Sequence, residues 1–222
     1  MHIVIAGGHG QIALHLTENM ATRGHAVTGL IRDPDQAEDI TAIGGRPIVL
    51  DLERADVEHV SGLLEGVDAV VFAAGAGPGS GAARKDTVDR AASVLMADAA
   101  EQAGVTRFLQ ISAMGTGKDP DPERGDVWAA YIAAKTQAEE DLRSRDLDWV
   151  IVRPGRLSDG EPTGTVTLAE SVDGGEIPRA DVAAVLAVLL ETPELTCTTL
   201  ELVGGETPID DAVATLAAPE QT

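Results

Sequence analysis

The sequence predicts an α/β fold in which a doubly wound parallel sheet is followed by a small C-terminal cap. Short β-branched apolar runs alternate with helical patterns along the 222 residues. The first run, residues 3–5, ends in a cluster of glycines, and an apolar helical pattern follows at once. With 44% hydrophobic residues, the chain can build one well-cored domain. We therefore expect a single domain over residues 1–222, in which residues 156–216 form a substrate-side cap that does not fold independently.

The composition argues against several classes of function. Acidic residues outnumber basic residues 37 to 16, and the net charge of −21 opposes binding to nucleic acid or to an anionic membrane. One cysteine and five scattered histidines offer no cluster of metal ligands. No apolar run approaches the roughly 18 residues of a membrane span, and the chain begins with a strand rather than a leader. We expect a cytoplasmic monomer or homodimer whose partner is a small-molecule substrate.

The glycine turn after the first strand predicts a dinucleotide site of the Rossmann type. Glycines let the backbone approach a pyrophosphate, and free N–H groups at a helix N-terminus favour an anion. The spacing is G-x-x-G-x-x-A, with the alanine at position 13. The predicted cofactor contacts of this turn are Gly7, Gly8, His9, Gly10, Gln11 and Ile12. A glycine turn by itself is common in doubly wound proteins, so the strand and helix context supplies most of the support.

The second predicted strand, residues 26–31, bears on the choice of cofactor. In a dinucleotide fold, an acid after this strand binds a free ribose 2′-OH, and a basic residue binds a 2′-phosphate. Arg32 comes first and Asp33 second. We therefore favour NADP, with Arg32 as the phosphate partner and NAD as the alternative cofactor. In the competing interpretation, Arg32 is solvated and Asp33 binds the ribose or caps the next helix, predicted over residues 35–43.

Two further predicted strands end at the same edge of the sheet. Residues 47–50 lead to Asp51 and Leu52, and a helix over residues 55–64 separates them from the strand over residues 68–74. The small residues Ala73, Ala74 and Gly75 would let that strand end lie against a cofactor. A glycine-rich stretch over residues 75–81 is expected to border the site, and a long helix is predicted over residues 82–103.

A tyrosine and a lysine four residues apart are the catalytic candidates. The fifth strand, residues 107–111, delivers Ser112 to the carboxyl edge of the sheet, and a later helix carries Tyr131 and Lys135 on one face. A phenol with a pKa of about 10 is a poor acid or base at neutral pH until a nearby cation stabilises its anion. Chance places one of three lysines four residues after the single tyrosine about once in seventy such sequences. The plainer alternatives are that Tyr131 only packs, that Lys135 binds a ribose without turnover, and that Ser112 only bonds to the backbone.

The rest of the chain supplies fewer candidates. A sixth strand over residues 149–152 is followed by Arg153, Pro154 and Gly155. Beyond it we predict a helix over residues 179–190, a strand over residues 199–203 and a last helix from residue 209.

The glycine turn, the acid after the third strand, the small residues after the fourth strand and the Tyr-x-x-x-Lys pair resemble one family. It is the atypical short-chain dehydrogenase/reductase (SDR) family, in the group related to NmrA-like proteins and biliverdin-reductase-B-like flavin reductases. The resemblance implies that Lys135 holds the nicotinamide ribose and lowers the pKa of Tyr131. It also implies that Tyr131 exchanges a proton with the substrate oxygen and that Ser112 orients that oxygen.

The same resemblance assigns cofactor contacts outside the glycine turn. It implies that Asp51, followed by Leu52, hydrogen-bonds the adenine amino group; an ordinary helix cap is the alternative for Asp51. It also implies that Pro154 and Gly155 lie beside the nicotinamide carboxamide and contact it mainly through the backbone.

These observations predict an NADP(H)-dependent oxidoreductase that acts on a small carbonyl, quinone or flavin-like acceptor. An NADP(H)-binding redox sensor or regulator without turnover is the first alternative. A nucleotide-sugar epimerase is the second, and it ranks lower because the residues after the sixth strand leave little room for a nucleotide sugar.

Overall fold

The computed structural model describes residues 1–77 and 79–218, and its centre is a sheet of nine strands. The strands of this sheet are β1 (His2–Ala6), β2 (Ala26–Ile31), β3 (Arg46–Val49), β4 (Ala69–Phe72), β5 (Arg107–Ile111), β6 (Asp148–Pro154), β8 (Thr165–Ala169), β10 (Thr198–Gly204) and β11 (Thr207–Pro208). Across the sheet, their order is β11-β8-β10-β6-β5-β4-β1-β2-β3. In this order, the seven strands from β10 to β3 are mutually parallel, whereas β8 is antiparallel to both β10 and β11. A separate parallel pair joins β7 (Arg156–Ser158) to β9 (Glu176–Pro178).

Helices connect the parallel strands and flank the sheet. They are α1 (Gln11–Thr22), α2 (Ala37–Ala42), α3 (Val57–Leu63), α4 (Gly81–Arg84), α5 (Ala92–Ala103), α6 (Gly125–Arg143), α7 (Arg179–Leu190) and α8 (Ile209–Ala217). The prediction of a doubly wound α/β fold of the Rossmann type is confirmed. Over the described parts of the chain, no helix combines the length and the apolarity needed to cross a membrane.

The sheet separates two hydrophobic clusters, as the side-chain alternation of β1 requires. Successive residues of a strand point to opposite faces, so a strand covered on both sides is apolar throughout. Ile3 and Ile5 pack in the cluster that includes α1, α7 and α8. Val4 and Ala6 pack in the other cluster, with α3 and α5. This arrangement buries β1 between β4 and β2, and the loop after it opens at the carboxyl edge of the sheet.

The long helix predicted over residues 82–103 is interrupted in the structure. Residues Lys85–Ala91 form a π-helical segment between α4 and α5. π-helical turns are rare and are frequently found at functional sites. Hydrophobic periodicity does not reveal such a turn, because its residues are ordinary helix formers.

Residues 156–216, predicted as a cap, contribute more to the sheet than the sequence suggested. They supply β8, β10 and β11, and β10 pairs in parallel with β6. The buried residues of α7 belong to the same hydrophobic cluster as β1. Buried Asp181 at the start of α7 accepts hydrogen bonds from the backbone N–H groups of Thr163 and Gly164, at 2.9 and 3.0 Å.

Buried Arg107, at the start of β5, holds the end of α7. Its guanidinium donates hydrogen bonds to the carbonyls of Leu189 at 2.6 Å, Leu195 at 2.9 Å and Thr192 at 3.3 Å. The last carbonyls of a helix have no partner within the helix, and a cation there also interacts favourably with the helix dipole.

Arg107→Met should lower the free energy of unfolding by about 2–3 kcal/mol, because hydrogen bonds to a charged group are lost and helix carbonyls are left buried. Urea denaturation followed by circular dichroism measures the change. Arg156→Met is the matched control, since this arginine is exposed and pairs with Glu176 at the surface; it should cost less than about 0.5 kcal/mol. Equal losses in the two variants would contradict the role of Arg107.

Candidate active site

The turn between β1 and α1 brings three chain segments into close contact. Gly7 has a φ of +79°, and a Cβ atom there would lie 2.6 Å from the Cα of Ala74. A Cβ atom on Gly8 would lie 2.6 Å from the Cα of Gly29 in β2. Any side chain at these positions would push the loop away from the neighbouring strands. The two glycines therefore hold the turn against the ends of β2 and β4.

The turn leaves the start of α1 open to a ligand. Gly10 is the N-cap residue, and among the described residues no side chain caps this end. The first N–H groups of a helix have no intrahelical partner and favour an anion. A phosphate group at this position would therefore meet unpaired backbone donors.

Two adjoining cavities lie on either side of this turn and share Gly10, Ala73, Ala74 and Gly75. The Arg32 cavity has a volume of about 590 Å³ and lies beside the ends of β1–β4. The Tyr131 cavity has a volume of about 690 Å³ and extends from α1 to α6. The predicted residues that line the Arg32 cavity are Gly7, His9, Gly10, Arg32, Asp51, Leu52, Ala73, Ala74 and Gly75. Those that line the Tyr131 cavity are Gly10, Gln11, Ile12, Ala73, Ala74, Gly75, Ser112, Tyr131 and Lys135.

Three predicted residues lie outside both cavities. Gly8 faces β2, as described above. Pro154 is the last residue of β6, and a Cβ atom on Gly155 would lie 2.4 Å from the carbonyl oxygen of Gly175. Pro154 and Gly155 therefore pack within the C-terminal part of the sheet, and their contact with the carboxamide stays a prediction.

A glutamate between two arginines forms one wall of the Arg32 cavity. Arg32, whose side chain is 58% exposed, lies 3.3 Å from Oε2 of Glu53, and Arg84 lies 2.8 Å from the same oxygen. The hydroxyl of Thr87 donates to Oε1 at 2.6 Å, and this hydrogen bond, with Arg84, lowers the pKa of the Glu53 carboxyl. Sequence reasoning missed Glu53 and Arg84, because Arg84 lies in a helix far from Arg32 along the chain.

The two predicted acids of this cavity bond to the backbone in their own turns. Asp33 accepts from the N–H of Asp35 at 3.0 Å and so caps a short 3₁₀ helix, in line with one of the two alternatives for it. Asp51 accepts from the N–H of Glu53 at 3.1 Å. Each carboxylate still borders the cavity.

The structure brings Tyr131, Lys135 and Ser112 to one cavity. The ammonium of Lys135 is 5.9 Å from the centre of the Tyr131 ring and donates to the carbonyl of Ile111 at 3.1 Å. Ser112 is buried, and its Oγ lies 3.3 Å from the hydroxyl of Thr116. Ser112 and Tyr131 line the same cavity.

Asp89, in the π-helical segment, is the partner of Lys135 that sequence reasoning missed. It is only 1% exposed, and its Oδ1 lies 3.4 Å from the Lys135 ammonium. Its Oδ2 accepts from the backbone N–H of Ala76 at 3.2 Å. Burial lowers the pKa of Lys135, and the charge of Asp89 partly offsets this effect.

The prediction that Lys135 lowers the pKa of Tyr131 is wrong. The resemblance implies a lowered pKa for the phenol, whereas burial, reinforced by the negative charge of Asp89, raises the pKa of Tyr131 above its ordinary value. Burial of the phenol is the main cause, and the negative charge of Asp89 adds to it. Tyr131 is therefore a neutral phenol at neutral pH.

Comparison with known proteins now identifies the family, since residues 7–193 match a family model described as NAD(P)H-binding. The chain belongs to this NAD(P)H-binding family. The predicted membership of an NAD(P)-binding group is thereby confirmed.

Several known proteins are similar to this chain over nearly its whole length. The uncharacterized sugar epimerase YhfK of Bacillus subtilis is 29% identical over 97% of this chain and 100% of its own. A Bacillus halodurans structure, provisionally named an NAD-dependent epimerase/dehydratase, is 33% identical, with a TM-score of 0.89 over 97% of this chain and 100% of that one. The oxidoreductase ylbE of Lactococcus lactis is 26% identical, with a TM-score of 0.84 over 97% and 96%.

The cleft of this NAD(P)H-binding protein fits a nicotinamide dinucleotide. The open start of α1 suits the pyrophosphate, and both cavities adjoin it at Gly10. The Arg32 cavity would hold the adenosine half, and the Tyr131 cavity the nicotinamide half together with a substrate.

Gly10→Glu should weaken NADPH binding by about a hundredfold or more, because it places a carboxylate against the pyrophosphate. Fluorescence titration with NADPH measures the affinity, and circular dichroism verifies the fold. Gly62→Glu is the matched control, since Gly62 lies on the exposed face of α3 with open space around it. Unchanged NADPH affinity in Gly10→Glu would show that the pyrophosphate does not lie at this turn.

Proposed function

We propose that this protein is an NADP(H)-dependent oxidoreductase that acts on a small carbonyl, quinone or flavin-like acceptor. The observation that carries the proposal is that Tyr131, Lys135 and Ser112 line one cavity, which adjoins the glycine turn. The Lactococcus lactis relative, named an oxidoreductase, supports it.

The residues of the Tyr131 cavity have separate roles in this reaction. When bound, the nicotinamide supplies hydride to the acceptor. Tyr131 donates its phenolic proton to the acceptor oxygen, which gains negative charge during reduction, and later recovers a proton from solvent. Lys135, held by Asp89 and by the carbonyl of Ile111, binds the nicotinamide ribose. Ser112 orients the acceptor oxygen through its hydroxyl.

The raised pKa keeps the phenol of Tyr131 protonated at neutral pH, which is the form that donates a proton in reduction, although it also makes the phenol a weaker acid. Below its pKa the phenol carries the proton that reduction needs, whereas oxidation needs the phenolate as a base. Nucleotide-sugar epimerisation begins with oxidation of the sugar and would need the same phenolate. The name of the Bacillus subtilis relative nevertheless makes a sugar epimerase the second candidate. Incubation with a nucleotide sugar, followed by product analysis, tests it directly.

Tyr131→Phe should lower turnover about a hundredfold or more, because a positioned acid contributes that much to proton transfer. NADPH consumption is measured against carbonyls, quinones and flavins, and NADPH affinity is measured by fluorescence. The affinity should change by less than about twofold. Trp149→Phe, an aromatic substitution outside both cavities, is the control and should keep its turnover.

Full activity in Tyr131→Phe would show that the Tyr131 phenol is not the proton donor. Tight NADPH binding without turnover of any acceptor by the unmodified protein would favour a redox sensor instead.

We further propose NADP rather than NAD as the cofactor, because Arg32 and Arg84 converge at the adenosine end of the cleft. In the structure, Glu53 pairs with both guanidinium groups, so a 2′-phosphate would compete with Glu53 for Arg32 and Arg84.

Arg32→Ala should weaken NADPH binding about tenfold and leave NADH binding nearly unchanged, because only NADPH carries the 2′-phosphate. Parallel fluorescence titrations with the two cofactors measure this ratio. Arg46→Ala, an exposed arginine at the start of β3 outside the cavity, should change neither affinity. An equal loss for NADPH and NADH in Arg32→Ala would contradict a role in cofactor choice.

A further inference from the structure

The Tyr131 cavity is basic, although the protein is strongly acidic. Its lining includes four cationic residues and one acid, Asp89, in a chain whose net charge is −21. The four cations are Lys85, Arg124, Lys135 and Arg179. Two of them already have acidic partners, since Lys135 lies beside Asp89 and Arg179 pairs with the exposed Asp159 at 2.5 Å. The two cations of the lining that are left to consider are Lys85 and Arg124.

Lys85 is a buried cation directed at the cavity. Its side chain is nine-tenths buried, at 8% exposure, and its ammonium donates to the carbonyl of Gly77 at 2.9 Å. The ammonium is also 5.1 Å from the centre of the Tyr131 ring. Among the residues that the structure describes, Lys85 forms no ion pair with a carboxylate. A buried charge without a counterion is costly, so an anion in this cavity would be strongly favoured.

Arg124 lies beside the same cavity on an aromatic surface. Its guanidinium carbon is 3.3 Å from the centre of the Trp128 ring, and the Trp128 and Tyr131 ring centres are 5.3 Å apart. Stacking of this kind leaves the edge N–H groups of the guanidinium available for hydrogen bonds. The chain has only two tryptophans and one tyrosine, and two of these three rings line this cavity. A flat conjugated molecule could pack against them.

We propose that the acceptor reduced in the Tyr131 cavity is a planar conjugated molecule with a carboxylate, and that Lys85 binds this carboxylate with Arg124 as a second contact. The inference rests on the proposed function, because it names the substrate class of that site. Lys85 provides specificity here and is separate from proton transfer by Tyr131. In a competing role, Lys85 would bind the cofactor instead, since the cavity also includes Gln11 and Ile12 at the start of α1.

The test compares an aromatic carboxylate with its neutral amide. 2-Naphthoate and 2-naphthamide are titrated calorimetrically into the protein, with and without saturating NADP⁺. The carboxylate should bind about tenfold more tightly than the amide, because it alone makes charge-assisted hydrogen bonds to Lys85. Lys85→Met should remove most of this preference, with Arg124 retaining the remainder, and should leave amide affinity unchanged.

Three further variants make the result decisive. Lys85→Arg keeps the charge and should retain the preference. Lys118→Met, at an exposed lysine outside both cavities, is the matched control and should also retain it. Arg124→Gln, at an exposed position, should reduce the preference about threefold and provides a measurement if Lys85→Met does not fold.

Equal affinity of the two probes for the unmodified protein, or binding of neither, overturns the proposal. A loss of NADPH affinity in Lys85→Met with the carboxylate preference intact also overturns it, because Lys85 then binds the cofactor. Calorimetry measures binding without turnover. A carboxylate preference in a protein that reduces no acceptor would therefore contradict the reductase proposal and would still support the anion site.

Discussion

The close approach of Gly7 to Ala74 is the constraint on which the cleft depends. A Cβ atom on Gly7 would lie 2.6 Å from the Cα of Ala74, so the loops after β1 and β4 touch through their backbones. This contact places the open start of α1 beside the end of β4 and sets the Arg32 and Tyr131 cavities on either side of Gly10. The hydrophobic clusters on both faces of the sheet hold the strands that carry these loops.

A buried charge pair determines the electrostatics of the Tyr131 cavity. Lys135 and Asp89 are both almost fully buried and lie 3.4 Å apart. Removing either partner of such a pair leaves an uncompensated charge, which is far more costly than the pair itself. Because Asp89 lies close to Tyr131, it also helps to keep the phenol protonated. The same arrangement therefore holds Lys135, the proposed ribose-binding residue, and helps to keep Tyr131, the proposed proton donor, protonated.

The sequence predicted the fold and most of the cleft, because local patterns carry that information. The glycine turn and the Tyr131–Lys135 spacing are short-range features, and a parallel sheet gathers the loops after its strands at one edge. Asp89, Lys85 and Glu53 could not be found in this way. Their roles arise from the π-helical segment and from pairing between segments distant in the chain, for which one sequence holds no signal. The predicted direction of the Tyr131 pKa shift was wrong because the shift depends on burial of the phenol and on the position of Asp89, which the sequence does not reveal.

The most direct test of the account is a spectrophotometric titration of the phenol. Tyr131 is the only tyrosine of the chain, so the tyrosinate absorbance in the near ultraviolet reports on it alone. We predict that no tyrosinate appears below pH about 10, the ordinary pKa of a phenol. Asp89→Asn should move the titration to lower pH, because it removes a negative charge that raises the pKa. Tyrosinate formation near neutral pH in the unmodified protein would contradict a neutral phenol as the proton donor.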